Sequence, residues 1–199
     1  MAQLSKKTER FVLSYRQMQE QTGVTENAHP TVWKPPPMGM VKLNFDSGRI
    51  GEQGWGSGFV VRGHDGMIIL AGVQHKQGKG TALIGEAQAC LFALQSAQQY
   101  GISNLCVEGD CLPLIQKLQS KTAENNFVGF VISDILNLVD QFEFVAFSFV
   151  RREGNGVAHE LAHWLPVVWE SRIWADNVSD AIVARASKDI FAYIDSNLI

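Results

Sequence analysis

Polar and apolar residues alternate strictly through Val41-Lys42-Leu43-Asn44-Phe45-Asp46. A period of two is that of a half-buried strand, so Lys42, Asn44 and Asp46 are expected to share one face. The glycine-rich stretch from Gly48 to Gly54 reads as a turn. Beyond it, Trp55 to Arg62 reads as a second strand, and His64-Asp65-Gly66 as a turn into a third, Met67 to His75. Together they make an antiparallel meander. The period then changes. Leu83, Ala87, Cys90, Leu91, Leu94 and Ala97 recur at three- and four-residue spacing, which predicts an amphipathic helix from Thr81 to Tyr100, closed by Gly101.

A short strand, Leu105 to Glu108, follows at once. Strand, helix and strand in succession form a crossover unit whose two strands lie parallel in one sheet. Leu112 to Leu118 reads as a short helix and Phe127 to Phe142 as a longer one, with Val128, Val131, Ile132, Ile135 and Val139 on its buried stripe. Glu143 to Val150 returns as a strand, and a last helix runs from Asn155, read as its N-cap, through Trp164. The sum is an α/β domain over residues 40–165, a mixed five-stranded sheet with helices packed on it.

The flanks read differently. Phe11, Tyr15 and Met18 suggest a helix between Ser5 and Gln21, and Pro30, Pro35, Pro36 and Pro37 make the stretch up to Met40 an extended linker, so residues 1–39 are an appendage. After Pro166, the residues Trp169, Trp174, Ile182, Val183, Ile190 and Tyr193 make 166–199 too apolar for a free tail. A helical extension is expected there, packed on the domain, on a partner protein or on a second copy.

Composition narrows the class without naming a chemistry. At 199 residues with 46% hydrophobic and 19% charged, the chain can bury one full core and lacks the signature of disorder. Seventeen Lys and Arg against 20 Asp and Glu leave a net charge of −3, so no global field draws in phosphate, and nucleic-acid binding is expected to be weak and salt-sensitive. Cys90, Cys106 and Cys111 lack C-x-x-C spacing and fit neither a disulfide framework nor a zinc knuckle. No run of 18 apolar residues and no secretory h-region occurs, so a soluble, non-secreted protein of the cytoplasm or nucleus, without a membrane partner, is expected.

Three acids sit where the elements can bring them together. Asp46 ends the first predicted strand, Glu86 lies in the first turns of the connecting helix, and Asp110 follows the next strand. Carboxylates held close repel, and a divalent cation or a shared proton makes such a cluster tolerable. Hard oxygen ligands with open water positions suit Mg²⁺.

Phe45-Asp46-Ser47-Gly48, Gly85-Glu86-Ala87-Gln88-Ala89, Glu108-Gly109-Asp110 and the run from Arg152 to Ala162 resemble, in order, the motifs of the ribonuclease-H-like domains of plant retroelement-derived proteins. Trp33-Lys34-Pro35-Pro36 and Val41 to Asn44 also resemble that family's entry sequence. The resemblance spans about residues 33–165. It implies endonucleolytic hydrolysis of the RNA strand of an RNA–DNA hybrid with two divalent ions, Mg²⁺ or alternatively Mn²⁺. Asp46 would bridge both ions, with Glu86 and Asp110 completing the ligands and His159 standing where active four-carboxylate relatives carry an Asp. Ser47, Gly48, Arg151, Arg152 and Asn155 would contact sugar and phosphate. An imidazole brings no negative charge and suits Mg²⁺ poorly, so the departure at His159 leaves a second reading, a binding module that kept the fold and lost turnover.

His159-Glu160-Leu161-Ala162-His163 also spells the H-E-x-x-H zinc pattern on a predicted helix. A zinc protease needs a third protein ligand, and no Gly-x-x-His extension follows. The acids downstream, Glu170, Asp176 and Asp180, lie beyond Pro166, so the protease is the remote reading. The glycines from Gly51 to Gly58 do not fit G-x-G-x-x-G and are assigned to the hairpin turn. Trp55 and Phe59 are expected to pack on the sheet rather than stack on bases.

Overall fold

A computed structural model of the chain describes Leu13 and residues 31–52, 54–164, 171–175 and 177–197. The helix expected from Ser5 to Gln21 therefore lies outside the described residues, Leu13 apart, as do Pro166, Trp169, Glu170 and Asp176. The strands are β1 (Val41–Ile50), β2 (Gly54–Arg62), β3 (Ile68–Gln77), β4 (Asn104–Gly109), β5 (Phe144–Phe149) and β6 (Ser171–Trp174). The helices are α1 (Ala82–Gln99), α2 (Leu112–Gln119), α3 (Phe127–Val139), α4 (Gly156–Ala162) and α5 (Asp180–Ser196).

The strands form one mixed sheet in the order β5-β4-β1-β2-β3-β6. The meander is antiparallel, and β4 and β5 run parallel to β1, as the crossover rule requires. The sixth strand is the one addition to the predicted five. It comes from the tail and pairs antiparallel with β3, Ala71 opposite Trp174 through Gln74 opposite Ser171. Four residues give no readable alternation, and pairing covers an edge of the meander that would otherwise present unpaired backbone groups.

Local chemistry sets the boundaries. Thr81 caps α1 by accepting from the backbone N–H of Ile84, and Gly101, at φ +71°, ends it with a hydrogen bond from Ile102 N to Ala97 O. The β2–β3 turn is made by Gly66 at φ +79°. The first hairpin departs from expectation: β1 runs on through Gly48 to Ile50, and the turn begins at Gly51. Gly56 and Gly58 are not turn residues. They lie inside β2, where an added Cβ would come within 2.0 Å of Ala162 O and 2.2 Å of Ala162 N, so their bareness lets α4 lie directly on the sheet.

One face of the sheet is apolar. Leu43, Phe45, Phe59, Val61 and Leu70 meet α1 and α3 in the main core, and Phe59 contacts Phe92 edge-on at 5.3 Å. That agrees with Phe59 as a packing residue. The opposite face joins an apolar patch to a buried polar layer. Val60, Ala71 and Val73 pack on Val157 and Leu161 of α4 and on Ile182 and Ala186 of α5, so the tail helix closes a second core within the chain. Beside it, Lys42 donates to Glu108 at 2.5 Å, Asn44 donates to Glu108 at 3.2 Å, and the buried Arg62 pairs with Asp189 of α5 at 2.8 Å. Trp33, from the segment read as linker, is also buried. Its indole N–H donates to Asn44 at 3.1 Å, and the Arg62 guanidinium lies 4.0 Å from its ring centroid.

Burial pulls the pKa of Arg62 down, and Asp189 first and Glu108 after it pull it back, so Asp189 is the main charge that holds the guanidinium. Removing one partner of a buried pair leaves the other charge uncompensated. Asp189→Ala is therefore expected to cost about 3–5 kcal/mol, read as a lower urea midpoint at unchanged m-value. A loss below about 1 kcal/mol would place the pair outside the stabilising structure.

Candidate active site

The site begins with strand register. β1 and β4 pair in parallel up to Asn44 opposite Glu108, and β4 stops at Gly109. Two residues further along each chain come Asp46 and Asp110, side by side just past the last pair. β1 itself continues, with Asp46 opposite Gly58 of β2. Asp46 thus lies inside its strand rather than at its end, beside a gap that the shorter neighbour leaves. Glu86 reaches the same gap from α1 on the other face. Gly85 makes that approach possible, since a Cβ there would stand 2.8 Å from both Ser47 Oγ and the Trp55 ring. One carboxylate oxygen from each of Asp46, Glu86 and Asp110 lies within 4.8 Å of the others.

The three acids differ in how they are held. Glu86 Oε1 accepts from Ser47 N at 3.2 Å and from Ser47 Oγ at 2.8 Å, while Glu86 Oε2 is buried and, among the described residues, has no donor. Burial first, and the neighbouring charge of Asp46 second, push the Glu86 carboxyl up to about 9. Burial and Asp46 likewise raise Asp110, against the opposing pull of Arg152. A buried carboxylate oxygen without a donor, in a cluster that resists ionisation, is what a cation-binding group looks like before its cation arrives. The set is all oxygen and hard, and so fits a divalent ion of the Mg²⁺ or Mn²⁺ kind.

His159 comes from α4 and meets Asp46 directly, Nδ1 to Oδ2 at 2.7 Å. Arg152 Nη2 lies 3.0 and 3.1 Å from the two ring nitrogens. A guanidinium can only donate, so the consistent tautomer has Nδ1–H donating to Asp46 and Nε2 accepting from Arg152. The other residues predicted to touch substrate divide into two groups. Arg151 and Arg152 are both exposed, and Arg152 lies beside the cluster, against His159 and near Asp110. Ser47 spends both its donors on Glu86, Gly48 is buried beneath the His163 ring, and Asn155 is 1% exposed. Asn155 Nδ2 donates to Phe45 O at 2.9 Å and lies 3.4 Å from Asp110 Oδ1. Its side chain makes no capping bond, because a 3₁₀ turn (Arg152–Asn155) precedes α4 and turns the amide toward the site. Ser47 and Asn155 are therefore positioned to hold the carboxylates.

The structure also alters the H-E-x-x-H picture. The third ligand sought downstream is available upstream, since Asp46, His159 and His163 present ligand atoms within 4.8 Å of one another. Glu160, the base such a protease would need, is instead paired with Arg185 at 3.0 Å. Sequence reasoning missed the Ser47–Glu86 bond and the His163–Gly48 contact. A serine on the apolar face of β1 and a glycine next to Glu86 were the available signals.

A mixed sheet of this order with acids gathered where β1 outruns β4 is a ribonuclease-H-like domain. The fold superposes on ribonuclease H1 of Halobacterium salinarum NRC-1 with a TM-score of 0.57 at 24% identity, covering 63% of this chain and 96% of that one. The N-terminal ribonuclease H domain of a Mycobacterium tuberculosis protein, solved as a maltose-binding-protein fusion, gives 0.57 at 21% identity over 62% and 91%. LC11-RNase H1, solved in complex with an RNA/DNA hybrid, gives 0.56 at 19% identity over 62% and 94%. The family model described as reverse transcriptase-like matches residues 44–165, and the chain belongs to that family. No curated protein matches the sequence.

The raised Glu86 carboxyl has a consequence for stability. Its ordinary pKa is 4.5 and its folded value is about 9, so between them the native state holds a proton that the unfolded chain has released. Metal-free stability is then full below the lower value and declines as pH rises toward the upper one. Melting in a chelator between about pH 5 and pH 8 is expected to show a falling Tm. Glu86→Gln should flatten that slope and raise Tm at the alkaline end by roughly 2–8 °C, equivalent to about 1–2 kcal/mol. A wild-type Tm independent of pH would contradict the raised carboxyl.

Proposed function

We propose that the chain is a metal-dependent endoribonuclease that cleaves the RNA strand of RNA–DNA hybrids. The observation that carries this reading is the convergence of Asp46, Glu86 and Asp110, with Glu86 Oε2 buried and lacking a donor. Family membership supports it, and a protein of the same fold, LC11-RNase H1, is seen with an RNA/DNA hybrid, which makes that duplex the first substrate to try.

Asp46, Glu86 and Asp110 would hold the divalent ions, which when bound supply an activated water and charge compensation at the scissile phosphate. Ser47 fixes Glu86 through Oε1 and leaves Oε2 without a donor among the described residues. Asn155 holds the Phe45 carbonyl beside Asp46 and lies within reach of Asp110. His159 orients Asp46 through its Nδ1 proton, and Arg152 holds the ring from the other side. The exposed guanidiniums of Arg152 and Arg151 would take phosphate oxygens, in keeping with weak, salt-sensitive binding at a net charge of −3.

A second reading rests on His159. Both its ring nitrogens are engaged and it brings no negative charge, which favours a nucleic-acid-binding module without turnover. Labelled hybrid incubated with the full chain and Mg²⁺ or Mn²⁺ separates the two. Under the first reading, wild type cleaves and Asp46→Asn loses about 100-fold or more. Hybrid binding without cleavage under either ion would select the second. In an active protein, His159→Asp adds a fourth carboxylate and is expected to raise the Mg²⁺ rate relative to the Mn²⁺ rate, measured as the ratio of initial velocities.

A further inference from the structure

His163 follows His159 by four residues at the end of α4, and both rings face β1. Their centroids are 4.3 Å apart. A ring nitrogen of each and a carboxylate oxygen of Asp46 fall within 4.8 Å of one another. His163 Nδ1 lies 2.9 Å from the backbone carbonyl of His159. A carbonyl only accepts, so Nδ1 carries the proton and Nε2 keeps its lone pair. A metal-ligating imidazole is held in this way, its second nitrogen pinned by an acceptor. A Cβ on Gly48 would lie 2.4 Å from His163 Nε2, so Nε2 is turned toward the strand that carries Asp46, and the bare glycine admits it. A cleft of about 370 Å³, lined by His159, Glu160, His163, Trp164, Ala181 and Ile182, opens the pair to solvent.

We propose that Asp46, His159 and His163 form a separate site for a transition ion of the Zn²⁺ or Co²⁺ type, which shares Asp46 with the carboxylate cluster and inhibits hydrolysis when filled. Two imidazoles and one carboxylate select such ions over Mg²⁺. The ion replaces the proton between His159 Nδ1 and Asp46 Oδ2, now 2.7 Å apart. That proton passes to Nε2, and the exposed Arg152 side chain, a donor itself, leaves the ring. Asp46 is then committed, and Arg152 is displaced from its place beside the cluster. The inhibitory half of this proposal rests on the hydrolytic reading above, whereas the binding half stands on the three side chains alone.

The test has two arms. In the first, Co²⁺ is titrated into the full chain without Mg²⁺ and followed by its visible ligand-field absorption, then displaced with Zn²⁺. Wild type is expected to take up one equivalent, and His163→Gln to bind at least about tenfold more weakly, with an unchanged melt in chelator showing that the fold is intact. No saturable band in wild type, or equal binding by His163→Gln, overturns the site. In the second arm, Zn²⁺ is added to hybrid cleavage at excess Mg²⁺. Wild type is expected to be inhibited, with His163→Gln at least about tenfold less sensitive. Equal sensitivity overturns the regulatory link. A chain that never cleaves defeats the hydrolytic reading and its inhibition together, while the Co²⁺ arm still decides the site.

Discussion

Carboxylates brought within a few ångströms of one another in a half-dry gap repel, and the rest of the site is arranged around that repulsion. The gap exists because β4 ends at Gly109 while β1 continues to Ile50. Asp46 is then supplied by β1, Asp110 by the residue just past β4, and Glu86 by a helix on the opposite face of the sheet. Among the described residues, no lysine pairs with any of the three. Ser47 steadies one oxygen of Glu86, His159 one of Asp46, and Asn155 approaches Asp110. The uncompensated charge is carried as a proton on Glu86, a proton that a divalent cation can displace.

Directly beneath the site, the same strands carry charge that is fully matched. Lys42 and Asn44, four and two residues before Asp46, bind Glu108, two residues before Asp110. This pairing fixes the β1–β4 register on which the convergence of the acids depends. The layer continues through Arg62 to Asp189, and Arg185 links Asp189 to Glu160, the residue next to His159. The tail helix is thus connected by ion pairs to both the base and the flank of the site. Trp33 covers the layer from the opposite end of the chain.

The contrast between the two polar groups on this face is physical. Lys42 and Arg62 are buried with their charges paired to Glu108 and Asp189, whereas the Glu86 carboxyl is buried facing the like charges of Asp46 and Asp110. A carboxyl cluster in which like charges face one another, beside a layer whose charges are paired, marks that place for a ligand.

Periodicity carried the meander, the crossover and the helices, because alternation and three-to-four spacing record which side of an element meets the core. It also put Lys42, Asn44 and Asp46 on one face, and the ordered acids pointed to a metal site. Residues 171–174 were illegible as a strand, since a four-residue edge strand is defined by its partner β3 rather than by its own pattern. Asn155 and Ser47 looked like surface contacts because polar type alone does not tell a residue that touches substrate from one that holds a carboxylate. The local sequence determined the elements and the identities of the acids. The tertiary structure alone decided that those acids meet through the pairing of β1 with β4, that α4 brings His163 close to Asp46, and that the tail completes the sheet beside β3, because contacts between residues far apart in sequence depend on register and packing that no local window contains.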